Sequence, residues 1–246
     1  MEFKRSISYV FPMFNEIDNI EQMVLSTMAV TDTITSDYEI IVVDDASTDG
    51  SGELIDRLAQ KYPKIRPIHH PRNRKLGGAL KTGFYNATKD LIIYIDSDLP
   101  IDLNDIKLAL PMIEEADVVI GHRLIRTESI RRKVQSKIYN WIIRLLFGLK
   151  VKDVNFAFKV FKREILEKIT LHSEGSFIDA ELLIEALRNN YKIKEIGLMY
   201  YPRSAGESKL SGLKVIMKIL QEMNEYRKRR KNFDGLVEKF KNKVNR

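Results

Sequence analysis

Short apolar runs alternate with amphipathic stretches through the first half of the chain. The apolar runs have the length and composition of strands and lie at residues 6–11, 39–43, 65–69, 91–95 and 118–121. The intervening stretches have helical spacing and lie near residues 17–30, 52–62, 77–88 and 102–115. This βαβα alternation predicts an α/β fold, with a mostly parallel sheet flanked by helices on both faces.

The spacing of apolar residues along the chain changes after Gly121. Apolar residues recur every three or four positions over 131–149, which predicts a strongly amphipathic helix there. A further helix is predicted at 178–189 and a short strand at 193–196. Residues 214–246 carry two more helical stripes, which predict C-terminal amphipathic helices.

Composition narrows the class of protein. The chain has 246 residues, of which 44% are hydrophobic, enough for one large domain or two small ones. It has no cysteine, so disulfides and cysteine-ligated zinc are excluded. Residues 1–11 do not resemble a signal peptide, and no stretch reaches the ~18–20 apolar residues of a membrane span.

The net charge of +7 is concentrated at one end of the chain. Residues 214–246 hold 11 Lys/Arg and 4 Asp/Glu, a balance of +7, so the preceding residues are close to neutral. The basic excess is therefore predicted to be a property of the C-terminal tail.

Polar side chains follow three of the predicted strands at their carboxyl ends. They are Asn15-Glu16 after the first strand, Asp44-Asp45 after the second and Asp96-Ser97-Asp98 after the fourth. Because carboxyl ends of parallel strands meet at one edge, we expect these groups to line a single edge of the sheet. Carboxylates at positions i and i+2 point the same way, so Asp96 and Asp98 predict a site for Mg²⁺ or Mn²⁺.

Several of these residues have a purely structural alternative. The segment 45–50 is rich in helix-capping residues, and we assign Asp49 to a cap and Asp45 to a ligand contact. Pro12 and Asn15 have the alternative of only shaping the turn that follows the first strand. Gly77-Gly78 is compatible with close helix packing as well as with ligand contact, and the neighbouring Lys75 is the better candidate for contact with a ligand.

Taken together, four segments resemble the family 2 inverting glycosyltransferases with the GT-A fold. The segments are residues 12–16, 42–50, 76–79 and 96–98, and the resemblance covers about residues 6–210. Three later segments are similar to the dolichol-phosphate mannose synthase and polyprenyl-phosphate glycosyltransferase group: 121–123, 153–159 and 203–209.

The resemblance implies transfer of a sugar, with inversion, from a nucleotide diphosphate sugar of the GDP-mannose or UDP-glucose type. The implied donor-binding residues are Pro12, Phe14, Glu16, Asp45, Lys75, Asp96 and Asp98. Asp96 and Asp98 would also hold the divalent cation that neutralises the leaving diphosphate. We divide the chain into a catalytic domain, 1–213, and a basic helical tail, 214–246; about 1–121 would bind the donor and 122–213 the acceptor.

The implied acceptor is a polyprenyl (dolichyl) phosphate. Its phosphate oxygen is already ionised near neutral pH, so cations that orient it are needed more than a strong base. The candidates for this role are Arg123, Arg131, Arg203, Ser208 and Lys209, and the expected catalytic set is Asp98, Arg123, Arg203 and Asp179. One alternative is a sugar or other hydroxyl acceptor with Asp179 as general base. Another is a non-catalytic, membrane-peripheral module that binds nucleotide sugars.

A lipid acceptor requires contact with a bilayer. Trp141 in the helix 131–149 and the five consecutive Lys/Arg at 227–231 suit interfacial helices, so we expect a peripheral protein on the cytoplasmic face of a membrane. The alternative is that these stripes pack on the catalytic body or against a homodimer partner. A nucleic-acid module is not recognisable, and we expect no nucleic-acid partner.

Overall fold

A seven-stranded sheet forms the centre of the computed structural model, which describes residues 3–97, 101–125, 130–200 and 217–230. The side chains of residues 131 and 132 lie outside this description. The strands are β1 (Ile7–Met13), β2 (Tyr38–Asp44), β3 (Ile65–His69), β4 (Leu91–Ile95), β5 (Val118–Arg123), β6 (Phe158–Lys162) and β7 (Ile193–Leu198). Their spatial order is β3-β2-β1-β4-β6-β5-β7.

The mostly parallel sheet predicted from the sequence is confirmed. Strands β1 and β2, β1 and β4, β2 and β3, and β5 and β7 pair in parallel. Strand β6 was not predicted, and it inserts antiparallel between β4 and β5. Its apolar run is interrupted by Lys159, a residue type that argues against a buried strand unless its charge is paired.

The helices lie on both faces of the sheet, as predicted. They are α1 (Ile20–Thr31), α2 (Ser51–Lys61), α3 (Lys75–Asn86), α4 (Ile106–Ala109), α5 (Ile130–Phe147), α6 (Ile165–Lys168), α7 (Ile178–Arg188) and the helical residues 217–230, here α8. The single helix predicted at 102–115 is instead α4 between two 3₁₀ segments, Leu103–Asp105 and Leu110–Glu114. Pro111 lacks the N–H that a continuous α-helix would use.

Two apolar cores sandwich the sheet, because alternate residues of each buried strand point to opposite faces. Tyr9 of β1 lies in the core shared with α1, α2 and α4. Val10, the next residue, lies in the core shared with α3, α5 and α7. None of the helices in the described ranges is both long and apolar enough to span a bilayer.

Helix α8 packs on the body of the protein, against α7. Met223 and Tyr226 are buried in the core beneath α7. The Tyr226 hydroxyl donates to Glu185 Oε1 at 2.6 Å, and Arg230 donates to Glu185 Oε2 at 2.6 Å. The first tail stripe is therefore part of the packed body, whereas the second stripe, at 233–244, lies outside the described residues. The division of the chain at residue 213 stays a prediction.

Replacing Tyr226 with phenylalanine is expected to lower the free energy of unfolding by about 1.5–3 kcal/mol, the range for a hydrogen bond to a charged group. Urea denaturation measures the change. Arg227→Ala, at an exposed position of the same helix, is the matched control and should stay within about 0.5 kcal/mol of the parent. Equal stabilities of the two variants would contradict the packing of α8.

Candidate functional site

The carboxyl ends of β1, β2 and β4 meet at one edge of the sheet, as the sequence predicted. Met13 at the end of β1 pairs with Asp44 at the end of β2, and β4 runs parallel to β1. Strand β6 runs the opposite way, so its first residue, Phe158, pairs with Ile95 at the same edge. Strand β5 is antiparallel to β6, and Arg123 therefore ends at this edge too. We call it the catalytic edge.

The loops after β1 and β2 are hydrogen-bonded to each other. Asn15 has a left-handed backbone, with a φ of 55°. Its side-chain oxygen accepts from the Thr48 N–H at 2.8 Å, and its own N–H donates to Ser47 Oγ at 2.9 Å. The Glu16 N–H donates to Ser51 Oγ at 2.9 Å. Asn15 thus shapes the turn, and the turn holds Glu16 at the catalytic edge.

Asp45 is buried and holds the loop that follows β3. Its Oδ1 accepts from the Arg74 N–H at 2.7 Å and lies 2.7 Å from His70 Nδ1. A carboxylate engaged by two donors positions its surroundings, so direct contact of Asp45 with a nucleotide stays a prediction. Gly50 is the N-cap residue of α2, and Asp49, one position before it, accepts at its Oδ1 from the N–H of Ser51, the first residue of the helix.

Lys75 begins α3 and is exposed. It lines an open cleft of about 750 Å³ together with His70, Pro71, Arg72, Asn73, Arg74 and Glu174. The cationic side chains of this cleft suit a diphosphate. Pro12 and Phe14, the other predicted donor contacts, are half-buried on and just after β1.

The glycines after Lys75 have a packing role. A Cβ at Gly77 would lie 2.4 Å from the carbonyl oxygen of Ser173, and the Gly77 N–H donates to the Glu174 carbonyl at 2.8 Å. A side chain at this position would force the backbones apart. Close packing of α3 against the 173–175 loop therefore accounts for Gly77.

Asp96 follows β4 and is half-buried at the catalytic edge. The Tyr94 hydroxyl donates to its Oδ1 at 2.9 Å, which fixes the carboxylate. Asp98 lies outside the described residues. In the described part of the chain, no group of three or more His, Cys, Asp or Glu residues could hold a metal by itself. Asp96 is thus the described carboxylate of the predicted pair, and one or two carboxylates together with substrate phosphates are the usual ligands of Mg²⁺ in proteins.

Asp179 forms a buried ion pair with Lys159. Asp179 Oδ1 lies 2.6 Å from Lys159 Nζ, and the two side chains are 5% and 1% exposed. Lys159 also donates to the Phe156 carbonyl at 2.9 Å and lies 5.2 Å from the centre of the Tyr94 ring. Burial raises the pKa of Asp179, and the lysine charge opposes that shift. Lys159 was missed from the sequence, although a lone Lys between Phe158 and Phe161 signals a buried charge that needs a partner.

Arg123 is held in place at the end of β5. Its guanidinium forms an ion pair with Asp153, which is buried. It also lies 5.1 Å from the ring centre of Phe156 and 4.8 Å from that of Tyr200, within cation–π range. Asp153 was not predicted as a site residue. The other predicted acceptor residues, Arg203, Ser208 and Lys209, and the side chain of Arg131, lie outside the described residues.

A family model and several curated relatives match this chain. The model for Glycosyl transferase family 2 matches residues 8–170. The chain is 32% identical over 218 residues to the undecaprenyl-phosphate 4-deoxy-4-formamido-L-arabinose transferase of Photorhabdus laumondii, covering 86% of this chain and 65% of the relative. It is 29% identical over 221 residues to glycosyltransferase AglD of Haloferax volcanii, covering 86% and 35%. The chain thus spans about a third to two thirds of these relatives.

Crystal structures of glucosyl-3-phosphoglycerate synthase from Mycobacterium tuberculosis are similar to this chain. The complex with phosphoglyceric acid has a TM-score of 0.68 at 21% identity, covering 89% of this chain and 80% of that one. The complex with Mn²⁺ and UDP-glucose has a TM-score of 0.68 at 20% identity, covering 89% and 79%. At this level of identity the similarity shows a common fold.

Proposed function

Because the chain belongs to glycosyl transferase family 2, we propose that it transfers a sugar, with inversion, from a nucleotide diphosphate sugar to a polyprenyl phosphate. Its GT-A fold agrees with the expectation from the sequence. The relative named as an undecaprenyl-phosphate sugar transferase supports the acceptor class. The donor is proposed to be of the GDP-mannose or UDP-glucose type.

The observation that carries the proposed acceptor is the buried ion pair of Asp179 with Lys159. A hydroxyl acceptor would need a base that can reach it and take its proton. Asp179 is 5% exposed, and drawing it away would leave the buried Lys159 without its counter-charge, which is costly. A phosphate acceptor brings an ionised nucleophile and needs no such base.

The residues at the catalytic edge have distinct roles in this proposal. Asp96 and Asp98 would hold a divalent cation, which when bound would neutralise the charge that develops on the leaving diphosphate. Tyr94 keeps the Asp96 carboxylate oriented. Lys75 approaches the diphosphate from its cleft. Arg123, fixed by Asp153 and two aromatic rings, presents a cation to the acceptor phosphate.

One observation favours the hydroxyl-acceptor alternative. Burial raises the pKa of Asp179, as would suit a general base. Two substitutions separate the alternatives, in transfer assays with a panel of nucleotide sugars and with short polyprenyl phosphates or hydroxyl acceptors.

Arg203→Ala is expected to weaken use of polyprenyl phosphate by roughly 10- to 150-fold, the value of a charge-assisted contact, with little change in the KM for donor. Asp179→Asn, assayed where it is folded, should lose less than about tenfold, against the ~10²–10⁴-fold of a lost general base. Arg57→Ala, at an exposed position of α2, is the control for Arg203. If Asp179→Asn instead lost nearly all transfer activity while Arg203→Ala kept nearly all of it, the acceptor would be a hydroxyl group.

A further inference from the structure

The loop of residues 172–177, which precedes α7, is hydrogen-bonded to three helices. Toward α7, the buried carboxylate of Glu181 accepts from the Ser173 N–H at 2.7 Å. Toward α3, the Glu174 carbonyl accepts from the Gly77 N–H at 2.8 Å. The third helix is α8, which follows the loop by some forty residues in the sequence. The conformation of the loop is therefore set by contacts from several parts of the chain.

Helix α8 contacts the loop through the side chain of Glu222. This residue is half-buried, and the Phe177 N–H donates to its Oε2 at 3.2 Å. The Gly175 N–H donates to the same carboxylate, and a Cβ at Gly175 would overlap it. Phe177 is the N-cap residue of α7, where backbone N–H groups have no partner within the helix and a negative charge is favoured. Glu222 therefore caps α7 from a different helix.

The loop also holds a cation of the open cleft that contains Lys75. The Glu174 carboxylate accepts from Arg74 Nε at 3.3 Å and from Arg74 Nη2 at 3.1 Å. It also lies 2.5 Å from Lys81 Nζ. A two-point contact between a guanidinium and a carboxylate fixes the orientation of both groups. The position of Arg74 in the cleft thus depends on where the loop places Glu174.

The placement of Lys75 depends on the same loop. Lys75 has a left-handed backbone, with a φ of 61°, which is uncommon for a residue with a side chain. Such a conformation persists where the surrounding structure fixes it. The Lys75 N–H donates to Asn73 Oδ1 at 3.0 Å. The N–H groups of Gly77 and Gly78 donate to the Glu174 carbonyl at 2.8 Å and 3.2 Å, so the loop holds the first turn of α3.

We propose that Glu222 is a positioning residue for the diphosphate of the donor, because it holds the 172–177 loop, which in turn sets Arg74 and Lys75 at the cleft. The inference rests on the proposed function, which places the diphosphate of a nucleotide diphosphate sugar in this cleft. Arginine and lysine bind phosphate through charge-assisted hydrogen bonds, whose strength depends on geometry. Helix α8 therefore contributes to donor binding from outside the cleft.

Calorimetry with GDP and with UDP, each with Mg²⁺, tests this role. Glu222→Ala is expected to weaken nucleoside diphosphate binding by roughly tenfold, the lower value of one charge-assisted contact. In transfer assays its KM for donor should rise more than its kcat falls, as expected when ground-state binding is lost. Gly175→Ala keeps Glu222 but displaces its carboxylate, and it should show the same loss. Glu222→Gln keeps one acceptor oxygen and should lie between the parent and Glu222→Ala.

Two control variants on α8 separate positioning from stability. Tyr226→Phe weakens the packing of α8 but keeps the Glu222 carboxylate. Glu225→Ala removes a neighbouring, exposed carboxylate. Both should bind nucleoside diphosphate like the parent, and circular dichroism checks that each variant is folded. When Arg74→Ala and Lys75→Ala are already present, adding Glu222→Ala should cost little more, because residues that act through the same contact are not additive.

The positioning role is wrong if Glu222→Ala and Gly175→Ala bind nucleoside diphosphate as tightly as the parent. It is also wrong if Tyr226→Phe loses as much affinity as Glu222→Ala, since α8 would then act through stability alone. A parent protein that binds neither GDP nor UDP would instead overturn the proposed function, and this inference with it. Failure of the positioning role alone is therefore distinguishable from failure of the proposed function.

Discussion

Alanine in place of Asp98 is expected to abolish sugar transfer while leaving the fold intact. Asp98 lies two residues after Asp96, whose carboxylate the Tyr94 hydroxyl holds at the catalytic edge. A bound cation contributes several kcal/mol of charge stabilisation to the transition state. The loss should therefore be at least about a thousandfold, which corresponds to about 4 kcal/mol.

Calorimetry provides a readout other than activity. Nucleoside diphosphate binding by the parent should need Mg²⁺ or Mn²⁺, and Asp98→Ala should lose this dependence on the cation. Circular dichroism checks that the variant is folded. Glu53→Ala, which removes an exposed carboxylate from α2, is the control and should keep full activity. Full activity of the parent protein in excess EDTA would contradict the metal role.

Methionine in place of Lys159 is expected to lower the free energy of unfolding by about 3–5 kcal/mol, because it leaves the buried Asp179 carboxylate without its counter-charge. Lys162→Met is the matched control on the same strand. Lys162 pairs with Asp117, but these side chains are 19% and 21% exposed. That loss should stay near 1 kcal/mol. Chemical denaturation measures both variants.

The penalty of Lys159→Met should depend on pH. Without the lysine, burial and the negative charge of Asp153 both act on Asp179 and keep its folded-state pKa above the unfolded value. The penalty is then complete above the raised pKa, and it disappears as the pH falls below the ordinary aspartate range of about 4. Adding Asp179→Asn removes the charge and should recover part of the lost stability at neutral pH. A double variant no more stable than Lys159→Met would show that the lysine acts through packing.

Much of the first half of the chain could be predicted from the sequence. Strands β1 to β5 begin and end within a few residues of their predicted positions, because each is a short apolar run bounded by turn residues. The helix predicted over 131–149 is observed as α5, Ile130–Phe147, because apolar residues recur there with the period of a helix. The alignment of residues 14–16, 45 and 96 along one edge followed from the parallel strand order.

The structure of the chain after residue 121 depended on contacts between residues far apart in the sequence. Strand β6 was not predicted, because Lys159 is compatible with the core only when the carboxylate of Asp179, on α7, pairs with its charge. The sequence could not distinguish a tail helix on a membrane from one on the body, since either surface would cover the same apolar stripe. The burial of Met223 and Tyr226 resolves this for α8.

The sequence by itself determined the local structure and the chemistry of the catalytic edge, because hydrophobic periodicity and strand-end residues are encoded over short spans. Only the tertiary structure decided which charged side chains form ion pairs. Arg123 with Asp153 and Lys159 with Asp179 are separated by 30 and 20 residues. The pairing of these charges is set by how β5, β6 and α7 pack, because a buried charge is tolerated only where the fold brings its partner.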